Sequence, residues 1–392
     1  MSPAIVIISY NRPASLSRLL SFIASADYEQ FDIDLIISID FQNSEKHDAV
    51  VLVAEEFDWK FGNKKIIQHQ ENLGLRKHVI VCGNLTEQYG SIIMLEDDLV
   101  VSNLFYKYAY QTLNFYSQDT RIGGISLYNH KKNFCNRLPF ELIADYSSDV
   151  YFLQIASSWG QAWTKEQWMG FRLWYEKGQL IDTKDPLPHA IKSWPETSWL
   201  KYYIKYLASN SKYFVYPKLS FATNFGDSGT HNLESDTSFQ VPLACGAEYD
   251  LRFQSIDESI NVYDSFFEIE QNILKRLNPN LKERDFTVDL YGLKNLKDFH
   301  HEYALSNKIL VGNSIDSYGL ALKPAAMNIA MHLDGTYFHL AMKDSFSNTY
   351  INDSLSSQEW TYYFGKANLK KISKMLFKMI GTKSIKYFKV NR

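Results

Sequence analysis

The sequence predicts an α/β fold in which a mainly parallel sheet is flanked by helices. Three observations lead to this prediction. Apolar runs at 4–10, 32–40 and 91–101 have the continuous character of strands that are buried on both faces. Segments with helical periodicity separate these runs. Polar residues follow each run, which is typical of the carboxyl edge of a parallel sheet, where ligands gather.

The elements can be justified in order along the first hundred residues. A strand over 4–10 leads into a helix that starts at Pro13, because proline fits the first helical turn. After the strand at 32–40, we expect a short third strand and a helix within 64–89. A fourth strand is expected over 91–101. Strands that alternate with helices in this way favour parallel pairing.

Composition limits the class of protein. The net charge of −3 argues against a general nucleic-acid binder, and 392 residues with 45% hydrophobic content suffice for a large core. The three cysteines are far apart, so we expect reduced thiols in a cytoplasmic protein. We expect neither a signal peptide nor a membrane span, because no apolar run approaches the roughly 20 residues of a span.

The segment "IIMLEDDLVV" places three carboxylates, Glu96, Asp97 and Asp98, between apolar runs. Charges in an apolar setting are costly unless something pairs with them, so either the strand reaches solvent here or a cation sits at its tip. Mn²⁺ or Mg²⁺ would suit such oxygen ligands, because these ions bind carboxylates together with substrate phosphates. The other polar residues at predicted strand ends are Ser9, Tyr10, Asn11, Arg12 and Asp40.

The stretch from "IIMLEDDLVV" to "GGISLYN" resembles the metal-binding segment of GT-A glycosyltransferases, and most of all the N-acetylglucosaminyltransferase I type with its Glu-Asp-Asp form of the DxD motif. The stretches "VYFLQIASSWGQAWTKEQW" and "SFATNFGDSGTHN" are similar to further parts of that family, so the resemblance covers residues 4–232. It implies a GT-A fold, a UDP-sugar donor such as UDP-N-acetylglucosamine, and a Mn²⁺ or Mg²⁺ ion held by Asp98.

The resemblance also implies roles for single residues around the donor. Glu96 and Asp97 would face its ribose and sugar, whereas Arg12 and Asp40 would hold the base and ribose end. Arg76 belongs to a less similar turn, and both a phosphate contact and a solvated helix start are open for it.

The acceptor side has fewer clear candidates. Small residues around Trp159 and Gly160 would let the backbone approach a sugar closely. Inverting transfer needs a general base, which the resembled family carries as an Asp directly before a Trp. This sequence departs from that pattern, so Glu196 is the base only if the register shifts, and a helix-capping role is the alternative. Asp227 is a second candidate, in a loop where His231 would contact the diphosphate.

We divide the chain into a nucleotide-sugar-binding half (1–130), an acceptor-binding and catalytic half (131–235), an accessory α/β region (236–360) and a basic amphipathic tail (361–392). The tail has no acidic residue from Tyr362 onward and interleaves lysines with apolar residues. This pattern predicts peripheral contact with an anionic membrane surface, although a helix packed on the body is the alternative.

Together these expectations describe a metal-dependent glycosyltransferase, for which inverting transfer is favoured and retaining transfer is the open alternative. It would move a sugar to a saccharide or lipid-linked acceptor in capsule or lipopolysaccharide synthesis, without a nucleic-acid partner. Two alternatives stay open. A sugar nucleotidyltransferase would share the strand-end carboxylates but would normally have a glycine-rich phosphate loop after the first strand. A carbohydrate-binding protein on the same fold, without catalysis, would explain the displaced base.

Overall fold

The structure is a computed structural model, and it describes residues 2–28, 32–227, 237–246, 249–347 and 355–366. The predicted His231 and the tail from 367 to 392 lie outside these ranges.

The strands and helices of the described residues are numbered here in chain order. The strands are β1 (Ala4–Ser9), β2 (Leu35–Ile39), β3 (Lys64–Gln68), β4 (Ser91–Glu96), β5 (Leu99–Val101), β6 (Ile122–Ser126), β7 (Val150–Leu153), β8 (Gln161–Thr164), β9 (Tyr213–Pro217), β10 (Ala222–Asn224), β11 (Val262–Tyr263), β12 (Phe286–Asp289), β13 (Tyr303–Ser306), β14 (Ser314–Tyr318) and β15 (Phe338–Met342). The helices are α1 (Pro13–Ala24), α2 (Glu45–Glu56), α3 (Gly74–Gly83), α4 (Thr86–Tyr89), α5 (Phe105–Phe115), α6 (Lys165–Tyr175), α7 (His189–Lys192), α8 (Leu200–Ser209), α9 (Gln271–Leu277), α10 (Ala326–Ala330) and α11 (Ser357–Phe364). Three 3₁₀ turns cover Pro279–Leu281, Leu296–Asp298 and Lys343–Ser345.

Within the described residues, nine strands form one large sheet in the order β11-β7-β9-β6-β8-β4-β1-β2-β3. The run β4-β1-β2-β3 is parallel throughout, and β8 is antiparallel to both of its neighbours. Helices flank this sheet, so the predicted α/β class with a mainly parallel sheet is confirmed. All side chains of β1 and β2 are buried, as expected for continuous apolar strands.

The helix after β1 begins where the sequence predicts it, at Pro13. It has no side-chain cap, and it buries one apolar stripe against the sheet. The buried apolar side chains of α1 are Leu16, Leu19, Leu20 and Ile23. The polar residues between β1 and α1 are therefore held between two buried elements, at the carboxyl edge of the sheet.

The prediction of one strand over 91–101 is wrong, because the chain turns in the middle of it. β4 ends at Glu96, Asp97 and Asp98 form the turn, and β5 pairs antiparallel with β10 in a separate two-stranded sheet. The side chains of the two aspartates pair with Ser9, at the end of β1, and with Arg12, in the loop that follows it. The helix expected within 64–89 likewise divides into α3 and α4.

The region after residue 235 is not separate from the large sheet. Its strand β11 joins that sheet beside β7. Four further strands form a second sheet in the order β12-β13-β15-β14, and most of its buried apolar residues belong to the same core as the large sheet. The segment bounds proposed from the sequence stay predictions. None of the helices in the described ranges has the length and apolarity needed to cross a membrane.

Candidate active site at the carboxyl edge of the sheet

The carboxyl ends of four neighbouring parallel strands form one row of polar groups. Just beyond the ends of β4, β2 and β3, the backbone N–H groups of Asp97, Asp40 and His69 each donate to a carbonyl of the adjacent strand, at 3.1, 3.0 and 3.1 Å. Neighbouring strands lie about 4.8 Å apart, so this row spans roughly three strand spacings. The row is the place where the topology of an open α/β sheet puts a ligand.

Two aspartates at the end of β4 are held by groups from the end of β1. Arg12 Nη1 donates to Asp98 Oδ2 at 2.9 Å, and Arg12 Nη2 pairs with Asp97 Oδ1. Ser9 Oγ donates to Asp97 Oδ2 at 2.9 Å. The guanidinium therefore bridges both carboxylates, a charge-assisted arrangement with fixed geometry.

The electrostatics of this acidic pair favour added positive charge. Burial, followed by the Asp98 carboxylate, raises the pKa of Glu96 to about 8. Burial also raises the pKa of Asp97 to about 6, although Arg12 opposes this. Burial alone would lower the pKa of Arg12, but the two aspartates raise it above its ordinary value. Three carboxyl groups thus lie near one guanidinium, which contacts two of them, Asp97 and Asp98.

The donor set fits a hard divalent cation completed by phosphate. Oδ1 of Asp98 is buried and has no hydrogen-bond partner, which leaves one carboxylate oxygen for a further ligand. In the part of the chain that the structure describes, no group of three or more His, Cys, Asp or Glu side chains is arranged to hold a metal ion. The protein would therefore supply the aspartates, and the phosphates of a nucleotide would supply the other oxygens, as is usual for Mg²⁺ and Mn²⁺ sites.

Asp40 has a structural task at the end of β2. Its Oδ1 accepts from the N–H groups of Phe41 and Leu73 at 2.9 and 2.7 Å, and its Oδ2 accepts from the N–H of Gly74 at 3.0 Å. The carboxylate thereby caps the start of α3 and stabilises that helix end. The role in nucleotide binding that the resemblance implies stays a prediction.

The turn between β1 and α1 contains the remaining predicted residues of this edge. Tyr10 and Asn11 are half-buried there. Asn11 Nδ2 donates to Gln42 Oε1 at 2.8 Å, which joins the loops after β1 and β2. A ligand on the row would lie against this joined surface.

Sequence reasoning missed two groups beside Asp40. His69 follows β3, and Ser38 Oγ lies 3.0 Å from its Nε2 and 2.7 Å from Nε2 of the buried His78. Burial lowers the pKa of His69. The ring of Phe41 is 36% exposed at the same edge. The strand-end rule that selected Asp40 would also have selected His69, which directly follows β3, the short third strand expected from the sequence.

Asp227 ties the loop after β10 to α1. Its Oδ2 accepts from Ser15 Oγ at 2.7 Å and pairs with Arg18 Nη2. The Arg18 guanidinium lies 3.7 Å from the ring centroid of Phe225, whose N–H donates to the carbonyl of Asp98 at 3.0 Å. Burial would raise the pKa of Asp227, but the hydrogen bonds from Ser15 and Arg18 hold it below its usual range. Arg18 was also missed, because nothing in α1 alone marks this exposed-face arginine as paired.

Glu196 lies on the surface with both carboxylate oxygens engaged. Its side chain is 72% exposed, Oε1 pairs with Lys201, and Oε2 accepts from the Tyr202 hydroxyl. These hydrogen bonds lower the pKa of Glu196. Arg76 Nη1 donates to the Glu196 carbonyl at 2.6 Å, so the glutamate lies beside the first turn of α3, which Asp40 caps.

Trp159 and Gly160 form part of a packed aromatic region. The half-buried Trp159 ring lies 4.6 Å from the Tyr128 ring and 5.2 Å from the Phe239 ring, centroid to centroid. Gly160 has a φ of +88°, and a Cβ there would lie 2.9 Å from Leu127. Glycine is thus required by this chain's own packing, whatever approaches from outside.

We expect Gly160→Ala to lower the free energy of unfolding by more than Gly178→Ala does. Both glycines have positive φ, but a Cβ at Gly178 would meet nothing within 4 Å. The backbone strain costs about 1–3 kcal/mol at either position, and crowding against Leu127 adds to it only at Gly160. Urea unfolding of the two variants measures the difference, and equal losses would contradict the packing argument.

Comparison with known proteins gives a remote likeness in structure. No protein-family profile matches the chain, and no curated protein matches it in sequence. Residues 1–349 of S. aureus TarS align over 57% of this chain at 11% identity and a TM-score of 0.36. The mannosyltransferase PcManGT from Pyrobaculum calidifontis, in complex with GDP-Man and Mn²⁺, aligns over 46% at 12% identity and a TM-score of 0.32. GalNAc-T7 with UDP, GalNAc and Mn²⁺ aligns over 55% at 11% identity and a TM-score of 0.35.

The alignments also leave much of each known protein unmatched. This chain spans 60% of the TarS fragment, 48% of the mannosyltransferase and 42% of GalNAc-T7, in each case less than two thirds.

Proposed function

We propose that the protein is a metal-dependent glycosyltransferase that uses a nucleotide-diphosphate sugar as donor. The observation that carries the proposal is the acidic pair at the carboxyl edge of the sheet, with the buried and unpartnered Oδ1 of Asp98. This buried, negatively charged oxygen lies beside the row of polar strand ends, which is about as long as a nucleotide. Such a position suits a cation that also binds the diphosphate of the donor. A purely structural pair would have its oxygens satisfied by the protein.

The residues of the chain divide the work of such a reaction. A divalent ion at Asp98 would neutralise the charge that develops on the departing diphosphate. Ser9 orients Asp97 and so fixes the pair, while Asp40 keeps the start of α3 in place beside it. The proposed donor is a UDP-sugar, with UDP-N-acetylglucosamine first among those to be tested. The proposed acceptor is a saccharide or a lipid-linked saccharide of a surface polysaccharide. The donor sugar is transferred to it with inversion at the anomeric carbon.

Glu196 is the proposed general base, and Asp227 is the proposed anchor of the loop. Asp227 is held between Ser15 and Arg18 on α1, whereas Glu196 projects into solvent, where an acceptor can reach it. The acceptor hydroxyl would take the place of Tyr202 at Oε2 and transfer its proton to that atom. Arg76 keeps the Glu196 backbone beside α3 during this exchange.

We expect Glu196→Gln to reduce turnover by about 10²–10⁴-fold, the usual contribution of a positioned base, with little change in the affinity for UDP and Mn²⁺. Steady-state transfer and calorimetry on the same preparation separate the two quantities. Glu176→Gln is the matched control, since Glu176 is also exposed and paired with a basic residue, Arg172. Equal turnover in Glu196→Gln and wild type would leave Asp227 as the candidate base.

The test of the function itself is a calorimetric titration of nucleotides and nucleotide sugars with and without Mn²⁺. We expect uridine nucleotides to bind, and to bind more tightly with the ion. The nucleotide sugar that binds is then incubated with the enzyme without an acceptor, and the released sugar and UDP are measured. Hydrolysis shows that the enzyme activates the donor even before an acceptor is known. A protein that binds no nucleotide under either condition is not a glycosyltransferase of this kind.

The proposed membrane contact rests on the sequence of the tail, of which the structure describes only residues up to 366. Sedimentation with vesicles of phosphatidylserine, compared with phosphatidylcholine alone, tests it. Binding that needs the anionic lipid and is lost above about 0.5 M salt is expected for a polybasic segment.

A further inference from the structure

We infer that Arg12 guards the cation site: its guanidinium occupies the acidic pair until a diphosphate draws it away, so that a divalent cation and a diphosphate bind cooperatively. The inference rests on the proposed function and adds a binding order to it. It also differs from the role that the resemblance implies for Arg12, which is contact with the base and ribose end of the donor.

Arg12 and a cation compete for the same oxygens. Three of the four carboxylate oxygens of the pair have partners, namely Asp97 Oδ1 and Asp98 Oδ2 with Arg12, and Asp97 Oδ2 with Ser9. A divalent ion bound by the pair would sit within a few ångströms of the guanidinium, and like charges at that distance repel strongly in a partly buried site. While Arg12 stays, a cation can therefore reach only the free Oδ1 of Asp98 and is repelled there, and departure of Arg12 opens two further carboxylate oxygens to it.

Arg12 is placed so that it can leave while the acids stay. The Arg12 side chain is 26% exposed, whereas those of Asp97 and Asp98 are 3% and 13% exposed. The acids belong to a turn between two buried strands, but Arg12 stands in the loop before Pro13 with non-helical φ and ψ. Its neighbour Arg18 is committed to Asp227 and Phe225, so of these two arginines Arg12 is the one that can be reassigned to an incoming group.

A diphosphate is the ligand that fits this reassignment. A guanidinium binds phosphate oxygens through two parallel hydrogen bonds, as it now binds two carboxylates. Moving it to phosphate frees the aspartate oxygens for the cation, and the cation in turn contacts the same phosphates. Coupling of this kind is reciprocal, so the diphosphate must raise the affinity for the cation by the same factor as the cation raises the affinity for the diphosphate.

If Arg12 guards the cation site, its removal should raise the affinity for Mn²⁺ and lower the affinity for UDP. Arg12→Gln should bind Mn²⁺ alone about tenfold more tightly than wild type, because the competing charge is gone, and should bind UDP alone about tenfold more weakly, within the roughly 5- to 150-fold range of coupled sites. A residue that merely supports the fold would weaken both ligands. Arg12→Lys keeps the charge without the two-pronged geometry, so its Mn²⁺ affinity should stay near that of wild type.

The experiment measures Mn²⁺ binding by the electron paramagnetic resonance of the free ion, and UDP binding in EDTA by calorimetry. Arg121→Gln is the matched control, because Arg121 also bridges two aspartates, Asp119 and Asp257, but outside the site. Thermal melting of each variant confirms that it is folded.

The outcomes separate the guard from the proposed function. Tighter Mn²⁺ and weaker UDP binding in Arg12→Gln alone support the guard. If wild type binds Mn²⁺ with UDP but folded Arg12→Gln binds Mn²⁺ no more tightly, the guard is overturned and the proposed function stands. If wild type binds neither ligand, alone or together, and Arg12→Gln binds no Mn²⁺ either, both are overturned.

Discussion

Asp98→Asn is expected to abolish metal-dependent nucleotide binding. Among the residues that the structure describes, the substitution removes the charge at the one carboxylate that combines an ion-paired oxygen with a buried, unpartnered one. Loss of a residue that only hydrogen-bonds to a metal ligand costs a metal site about 10–100-fold in affinity, so loss of a direct ligand should cost at least about 100-fold. Calorimetric titration of UDP in the presence of Mn²⁺ measures the loss, and UDP titrated in EDTA should change far less.

The loop after β10 contacts Asp98 through the main chain, so Asp98→Asn should not displace that loop. The N–H of Phe225 donates to the main-chain carbonyl of Asp98, so the loop contact survives a side-chain change. Asp285→Asn is a suitable control, since Asp285 is exposed and paired with Lys275. If Asp98→Asn binds UDP in the presence of Mn²⁺ as tightly as wild type does, the acidic pair only neutralises Arg12.

The strands of this edge and the acids at their ends were predictable because both are local features. Buried parallel strands need continuous apolar runs, and the acids stand out at the end of one of them. The partners of the acids were not predictable in the same way. Arg12 contacts Asp98 across 86 positions of sequence, and nothing near either residue encodes that pairing.

The chemistry of the acceptor side was harder to foresee for the same reason. The sequence marks Glu196 as an acid in a turn, but its low pKa depends on side chains of α8 that fold back onto it. The aromatic rings that pack on Trp159, those of Tyr128 and Phe239, come from two other parts of the chain. Packing of this kind is decided by tertiary contact, which periodicity does not contain.

A second set of charges, at the junction of the two sheets, went unnoticed in the sequence. Asp264 follows β11 of the large sheet, and Asp289 ends β12 of the second sheet. Lys294 pairs with Asp264, Lys308 pairs with Asp289, and Glu268 lies close to Asp289, Lys294 and Asp264. Glu268 is 1% exposed and Asp289 is 0% exposed, so the cluster is a buried one. Buried charges of this kind require partners, and here the partners join the two sheets.

Lys294→Met is expected to be the most destabilising substitution of this junction, with a loss of about 3–5 kcal/mol in the free energy of unfolding. Lys294 Nζ lies 2.5 Å from Asp264 Oδ2 and donates to the carbonyl of Val288 at 2.7 Å. Methionine has a similar length but leaves Asp264 and Glu268 without the charge of Lys294, while Lys308 remains beside Asp289. Urea unfolding measures the loss, and Lys282→Met, at an exposed lysine, should lie within about 0.5 kcal/mol of wild type.

Glu268→Gln tests whether Glu268 is protonated in the folded protein or is the ionised partner of Lys294, which are two explanations of that loss of stability. Three acids face two lysines in the cluster, so a proton on one acid would balance the charges. Burial and the Asp289 carboxylate raise the pKa of Glu268 well above its ordinary value, and its Oε2 has no partner among the described residues, which points to Glu268 as the protonated acid. A neutral glutamine should then be tolerated at neutral pH.

The pH dependence of Glu268→Gln follows from the sign of that shift. In the unfolded chain Glu268 ionises above pH 4.5, whereas in the folded protein it stays neutral to a higher pH. Rising pH therefore stabilises only the unfolded wild type, and wild-type stability should fall relative to the glutamine variant by up to about 1.4 kcal/mol per pH unit from pH 5 upward. Unfolding curves at pH 5, 6 and 7 measure this slope. If Glu268→Gln instead loses as much stability as Lys294→Met at all three values, Glu268 is the ionised partner of Lys294, and the balancing proton belongs to Asp289.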